Sequence, residues 1–582
     1  MTGTSRSTCN VSTTKGRVKG QHQTTLRGRR ITAFKGIPYA KPPVGHLRFQ
    51  RSQPCDSWQG TLDARKESKP NIQPNMFFPT STFRLGSEDC LYLNVFTSDV
   101  TAVKPVLVFI HGGAFVVGSN NSKVYGAQAL LDLDVVLVTM NYRLGPLGFL
   151  TLESDIAPGN LGLHDQHLAL AWIHENIAAF GGDPGNVTLM GESAGAMSAL
   201  LHTVSPYSSG LFHKVVALSG TPSTVFIKPN RAPKLYAMAL AKKLGCEPED
   251  PDSVLKFLQQ QPLSRIMKHC MMFMDWDYPN PHPWIPCVDS YCSEPFLPLP
   301  FREAVQLPST RPVPVLFSFC KDEGLLLIST FLKEPKRIEF FQKGWDTWAP
   351  HLVFNKERDI VSKSDVDACR KIKDFYFDNE PLDKDNLNRL KDIFSMSYFI
   401  QPIFDDAKLL SSLNWEVSIL ELACAPSFSL FRILKSPVHR TVLKATGRAL
   451  GFRFFRRDYG VCHGDDLGYL FPLNIAGLPP TVRTDDQRFA QRSLLQILDN
   501  VSQGRPAFHS VVGGSDYTSI ISSGSCESYV SIGTGEQVTG VGVTDSEVGR
   551  QLRFWNSLAL DAREPSHQPF SKFYKKPAVN RK

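Results

Sequence analysis

The sequence predicts an α/β fold: a central, mostly parallel sheet flanked by helices, with long helical insertions roofing the active end. Three observations lead there. Short β-branched runs alternate with helical patterns. Two long segments, at roughly 225–310 and 330–450, have a different, Pro- and aromatic-rich or helical character. Finally, no internal repeat or low-complexity linker divides the 582 residues, so one domain with long excursions is the simplest organisation. The expected division is a flexible tail over 1–10, a single domain over 11–562 and a basic tail over 563–582.

Val106-Leu-Val-Phe-Ile110, Val135-Val-Leu-Val-Thr-Met140, Val187-Thr-Leu-Met190 and Val215-Val-Ala-Leu218 read as buried strands. Between the second and third lies a helix whose apolar positions Ala169, Trp172, Ile173, Ile177 and Phe180 recur at three- and four-residue spacing, and Gly181-Gly-Asp-Pro184 ends it. Strand, helix and strand in this rhythm imply parallel strands joined by crossover helices. Ligands of such sheets bind beyond the carboxyl ends of the strands. The segment Asp275-Trp-Asp-Tyr-Pro-Asn-Pro-His-Pro-Trp284 belongs to the insertions expected to shape a substrate cavity.

Composition narrows the function classes. With 42% hydrophobic and 20% charged residues, the chain is of ordinary globular make-up. Its net charge of +9 is modest for this length, and the small clusters Arg27, Arg29, Arg30 and Arg453, Arg456, Arg457 are too sparse for a nucleic-acid surface. No apolar run is long enough to span a bilayer, and Met1–Asn10 has no apolar core of a secretory signal, so a cytoplasmic protein is expected. The 12 cysteines show no C-x-x-C pair and no Cys/His cluster of zinc spacing, so neither a metal nor a cofactor is expected and reduced thiols are. The sequons at Asn10, Asn120, Asn186 and Asn500 are then chance matches.

The chemistry is carried by four turns. Gly191-Glu-Ser-Ala-Gly195 follows the strand Val187–Met190 and precedes the helical run Ala196-Met-Ser-Ala-Leu-Leu201, a G-x-S-x-G elbow in its strand–turn–helix setting. Small flanking residues permit the sharp turn that lifts Ser193 above the sheet edge. His111-Gly-Gly-Ala-Phe115, directly after Val106–Ile110, can aim backbone amides at one point. Together with the amide after the nucleophile, the expected oxyanion donors are those of Gly113, Ala114 and Ala194. A serine hydroxyl needs a histidine to take its proton and a carboxylate to hold that histidine. In chain order serine, acid, histidine, the candidates are the turn Cys320-Lys-Asp-Glu-Gly324 and His463 in Tyr459-Gly-Val-Cys-His-Gly-Asp-Asp466. Local chemistry divides evenly between Asp322 and Glu323. An unperturbed imidazole titrates near 6.5, so the acid limb of the rate is expected at roughly 6 to 7.

With these motifs in place, the chain resembles the type-B carboxylesterase/cholinesterase family of α/β-hydrolases from about residue 10 to about 560. Further matching landmarks are Phe34-Lys-Gly-Ile-Pro-Tyr-Ala-Lys-Pro-Pro43, Ser87-Glu-Asp-Cys-Leu-Tyr-Leu-Asn-Val95, Asn141-Tyr-Arg-Leu-Gly-Pro-Leu-Gly-Phe149, Phe180-Gly-Gly-Asp-Pro-Gly-Asn-Val187 and Arg553-Phe-Trp555. Within the family it is similar to the intracellular α-esterases of arthropods. The resemblance implies a serine esterase with Ser193, Glu323 and His463 as its triad, and a supporting role for Glu192 and Ser219. Non-catalytic, neuroligin-like members share the core landmarks but usually lose a triad residue, whereas all three are present here.

Departures from the family pattern narrow the expected substrate. The resemblance implies a disulfide from Cys90 to a position that is Asn71 here, and a second from Cys246 to a position that is Phe257, so each pair lacks one member. Cholinesterases hold the choline ammonium on a tryptophan upstream of Cys90; this segment has Phe77, Phe78 and Phe83 instead. Leu326 and Leu327 replace acyl-pocket aromatics, and Phe226 replaces an acyl-pocket tryptophan. An aliphatic pocket for small uncharged esters, xenobiotic or lipid-like, is the expectation.

Overall fold

The structure, a computed structural model, describes residues 8–74, 86–227, 231–247, 250–269, 283–333, 336–357, 360–378, 380–427, 460–471, 482–509, 511 and 526–558. Its strands are β1 (Thr8–Thr13), β2 (Gly16–Thr24), β3 (Arg30–Pro38), β4 (Thr61–Asp63), β5 (Tyr92–Thr97), β6 (Lys104–Ile110) and β7 (Val136–Met140). They continue with β8 (Gly182–Glu192), β9 (Lys214–Leu218), β10 (Val315–Cys320), β11 (Val417–Leu422), β12 (Ser528–Ile532) and β13 (Val538–Gly542). All belong to one sheet, ordered β1-β2-β3-β5-β7-β6-β8-β9-β10-β11-β12-β13, with β4 on β2. From β7 to β12 each neighbouring pair is parallel, while β1, β2, β3 and β5 at one edge and β13 at the other join antiparallel.

Parallel strands covered by helices on both faces carry continuous apolar runs rather than alternation. In β6, β7 and β10 every residue is buried. The sequence-predicted strands are all present. The third is longer than expected, because Gly182-Asp-Pro184 opens β8 rather than merely ending the helix before it. That helix, Leu161–Asn176, tightens into a 3₁₀ turn at Ile177–Phe180 and stops at Gly181, whose φ of 80° needs glycine. Residues 8–10, expected in a flexible tail, instead pair in β1 with Lys19–Gln21, since Val11 and Val18 bury that edge. The expected C-terminal tail, 563–582, lies outside the described residues.

The chain order reverses around β6: β7 pairs on one side and β8 on the other. Such a switch point opens a crevice at the carboxyl ends of the strands. Helices inserted after β9 (Pro233–Leu244, Pro251–Gln260) and after β10 (Leu325–Lys333, Trp345–Val353, Leu387–Ser395, Gln401–Ser412) supply the insertions. Most of Asp275–Trp284 lies outside the described residues; Trp284 itself is buried. Among the described residues no helix is long and apolar enough to cross a membrane. Two sequon asparagines are fully engaged inside the fold, with Asn120 donating to the Tyr92 carbonyl (3.0 Å) and Asn500 to that of His509 (2.6 Å).

Candidate active site

Ser193 sits where β8 hands over to the helix Ala194–Val204, with φ 56° and ψ −121°. That conformation is strained for a residue with a Cβ and persists only where the surroundings over-determine it. Here the Ser193 amide donates to the Leu218 carbonyl of β9 (2.8 Å), and a Cβ on Gly195 would stand 2.0 Å from the Ile110 carbonyl oxygen. Nothing larger than glycine fits there, which is why the elbow is so tight. Ala194 is the first residue of its helix, so its amide has no acceptor within the helix.

The second turn leaves β6 at His111. Its ring stacks on Tyr142 at 4.5 Å, Tyr142 donates to the His111 carbonyl (2.8 Å), and burial lowers the imidazole to about 4, so it stays neutral. The landmark Asn141–Phe149 therefore braces this turn from behind. Gly113, Ala114 and Phe115 all have positive φ (109°, 56° and 60°). For Ala114 and Phe115 that is a costly backbone. The Gly113 carbonyl accepts from Val116 and Val117 (both 3.0 Å), while no described residue accepts from the amides of Gly113 or Ala114.

The third and fourth turns meet over the sheet. Glu323 Oε2 lies 2.6 Å from His463 Nδ1, and its Oε1 accepts from the Cys320 amide (2.8 Å). Asp322, the equal candidate by local chemistry, points elsewhere, to Lys391 and to the backbone of Val461. His463 Nε2 lies 3.2 Å from Glu192 Oε1. Burial by itself would lower the imidazole, but the Glu323 and Glu192 carboxylates outweigh it and raise His463 to about 9. Burial raises Glu192 to about 8 against the pull of His463, and raises Asp466 to about 7 with Glu323 adding to it. The sequence expectation of an ordinary imidazole is thus corrected upward, because three buried carboxyl groups surround it. Ser219, fully buried at φ 54°, places its hydroxyl 4.0 Å from Cys320 Sγ, behind the acid turn.

Ser193, His463 and Ala114 line one cavity, with about 330 Å³ of empty space including its open mouth. Phe226, Leu326 and Leu327, expected as pocket residues, line it too. Met197, Thr224, Tyr398 and Phe399 complete the wall and were not singled out by sequence. Met197 had a signal, since it falls four residues after Ser193 on a helix and hence on the same face. Tyr398 and Phe399 had none: a π-helical turn, Met396–Ile400, delivers them, and Phe399 packs on the His463 ring at 4.5 Å. Phe77, Phe78 and Phe83 lie outside the described residues. Among the described residues no group of three or more metal-ligating side chains assembles.

A serine elbow at the switch point of a mostly parallel sheet, opposite a histidine-bearing loop, makes this molecule an α/β-hydrolase. The sequence model of the Carboxylesterase family matches residues 7–555. The chain is 32% identical over 466 residues to Venom carboxylesterase-6 of Apis mellifera, covering 78% of this chain and 79% of that one. It is 31% identical over 510 residues to the juvenile hormone esterase of Tribolium castaneum, covering 86% and 84%. In three dimensions it resembles the crystal structure of juvenile hormone esterase from Manduca sexta with OTFP covalently attached. The TM-score there is 0.78, at 24% identity, over 95% of this chain and 99% of that one, a likeness of fold. The chain belongs to the carboxylesterase family and is a carboxylic ester hydrolase.

Proposed function

We propose that the protein cleaves uncharged carboxylic esters in two steps, through an acyl-enzyme on Ser193. His463 Nε2 takes the Ser193 proton as the hydroxyl attacks the ester carbonyl, and Glu323 on Nδ1 fixes the tautomer and balances the imidazolium. Nε2 is met by Glu192 in this structure, and contacts between nucleophile and base commonly close only as the substrate settles. The amides of Gly113, Ala114 and Ala194 hold the oxyanion, each donor worth on the order of 3 kcal/mol. The alcohol leaves with the proton from His463, and a water, deprotonated by the same base, repeats the attack on the acyl group. Glu192 and Ser219 act from behind this machinery, the first on the charge of the imidazole and the second on the acid turn.

The cavity wall carries the substrate reading. Apart from Ser193, His463, Thr224 and Tyr398 its lining is apolar, with Met197, Phe226, Leu326, Leu327 and Phe399. Thr224 and Tyr398 spend their hydroxyls on the carbonyls of Tyr398 (2.5 Å) and Leu352 (2.6 Å). Among the described residues no carboxylate lines the wall to offset the desolvation of a quaternary ammonium. Aliphatic xenobiotic or lipid-like esters, butyrate and longer, suit it, each buried methylene contributing up to about 0.8 kcal/mol. The test compares kcat/KM for butyrylcholine and for 3,3-dimethylbutyl butyrate, which has nearly the same shape without the charge. The neutral ester is expected to be the better substrate. Preference for the charged one overturns the substrate reading and leaves Ser193 untouched. A reducing, cytoplasmic setting fits the same reading, supported by the unpaired Cys90 facing Asn71.

A further inference from the structure

The carboxylate that does not reach the imidazole has partners of its own. Asp322 Oδ1 lies 2.5 Å from Lys391 Nζ, and its Oδ2 accepts the Val461 N–H (2.9 Å). The Asp322 N–H in turn donates to the Val461 carbonyl (2.9 Å). Residues 322 and 461 are therefore clasped through backbone and side chain, one residue before Glu323 and two before His463. The approach is close enough that a Cβ on Gly460, at φ 102°, would stand 2.2 Å from Asp322 Oδ2. The helix Leu387–Ser395 closes the unit: Gly324 N–H donates to Ser395 Oγ (2.9 Å), which donates to the Lys391 carbonyl (3.0 Å). Both members of the ion pair are largely buried, at 14% and 11% exposure, so it is not a screened surface contact.

We propose that Asp322, held by Lys391, is a positioning residue that sets the His463 loop in register with the acid turn; this rests on the reading of His463 as the base. Adjacent carboxylates of one turn thus divide the work, Glu323 holding the ring and Asp322 the backbone that carries it. A loop free to move by an ångström loses the alignment of base and nucleophile, which costs up to about a hundredfold in rate. The charged groups around Asp322 are Lys391 and Asp392 on the helix, Lys321 beside it and Glu421 on β11. Those around the imidazole are Glu323, Glu192 and Asp466.

The test is kcat per active site for p-nitrophenyl butyrate across pH, with sites counted by the p-nitrophenolate burst from diethyl p-nitrophenyl phosphate. Asp322→Ala should lower per-site kcat roughly ten- to a hundredfold with KM nearly unchanged. Its acid limb should move to lower pH, because a loosened imidazole loses part of its contact with Glu323. Asp322→Asn, whose amide oxygen still accepts from Val461, should lose less. Lys391→Met should act in the same direction and carries the test where Asp322→Ala does not fold. A purely stabilising role would reduce the melting temperature and the number of titratable sites alone. Wild-type per-site kcat and an unmoved acid limb in the folded variants overturn the proposal. Absence of any burst from the wild-type enzyme instead contradicts the nucleophile–base reading on which it rests.

Discussion

Three carboxyl groups, Glu323, Glu192 and Asp466, crowd the imidazole of His463, and with His463 as the proposed base this crowding sets how activity is expected to depend on pH. An anion beside an imidazole stabilises its protonated form, so each carboxylate raises the pH at which the base becomes free to act. The acid limb of deacylation should therefore lie above 6.5, in keeping with His463 raised to about 9. Glu192→Gln removes the negative charge that Glu192 carries above about 8 while keeping the shape, and should move that limb down by about one unit, a difference of about 1.4 kcal/mol. The pH profile of p-nitrophenyl butyrate hydrolysis decides this; a limb that stays in place would show that Glu192 does not act on His463. At this scale the sequence is legible where chemistry demands an unusual backbone. Ser193 and His463 stand out because each lies on a glycine-flanked turn. Asp322 and Glu323 do not separate, since neighbours in one turn share composition and differ only in direction. The upward shift of His463 is likewise invisible, for it depends on burial among groups up to 271 positions apart by numbering (Glu192 to His463).

Among elements, those with strong periodicity were the readable ones. The buried strands β6 to β9 appear in the sequence as β-branched runs, because strands covered on both faces must be apolar throughout. The segment Met396–Ile400 does not, since a π-helical turn has no propensity pattern, yet it brings Tyr398 and Phe399 to the cavity. The segment before Cys90 holds together without a covalent tie at that cysteine. Asn71 stands against Cys90, its Oδ1 3.7 Å from Sγ, and backbone bonds from Ile72 to Ser87 (3.1 Å) and from Ser87 to Pro70 (2.9 Å) tie residues 70–72 to Ser87. Cys90 is fully buried, so burial pushes its thiol up and leaves it unreactive. Alkylation of denatured protein without reductant should accordingly modify all 12 cysteines. A mass deficit at Cys90 or Cys246 would mean a disulfide and would contradict the proposed reducing setting.

The whole molecule is organised so that four turns from β6, β8, β10 and the loop before Leu467 converge on one end of the sheet. Buried ion pairs hold the frame behind them: Arg143 meets Asp165 at 2.8 Å, and Arg48 meets Glu88 at 2.5 Å. Several of the family landmarks thus map onto supports of the site rather than onto the site itself. Among the described serines, Ser193 alone stands on a strained elbow beside a histidine-lined cavity. Reaction of the intact enzyme with diisopropyl phosphorofluoridate, read by intact mass and then by peptide mapping, tests this most directly. One phosphoryl group per chain is expected, on the peptide containing Ser193, with loss of esterase activity in step and no labelling of Ser193→Ala. Labelling of another serine, or full esterase activity in Ser193→Ala, would contradict an acyl-enzyme on Ser193.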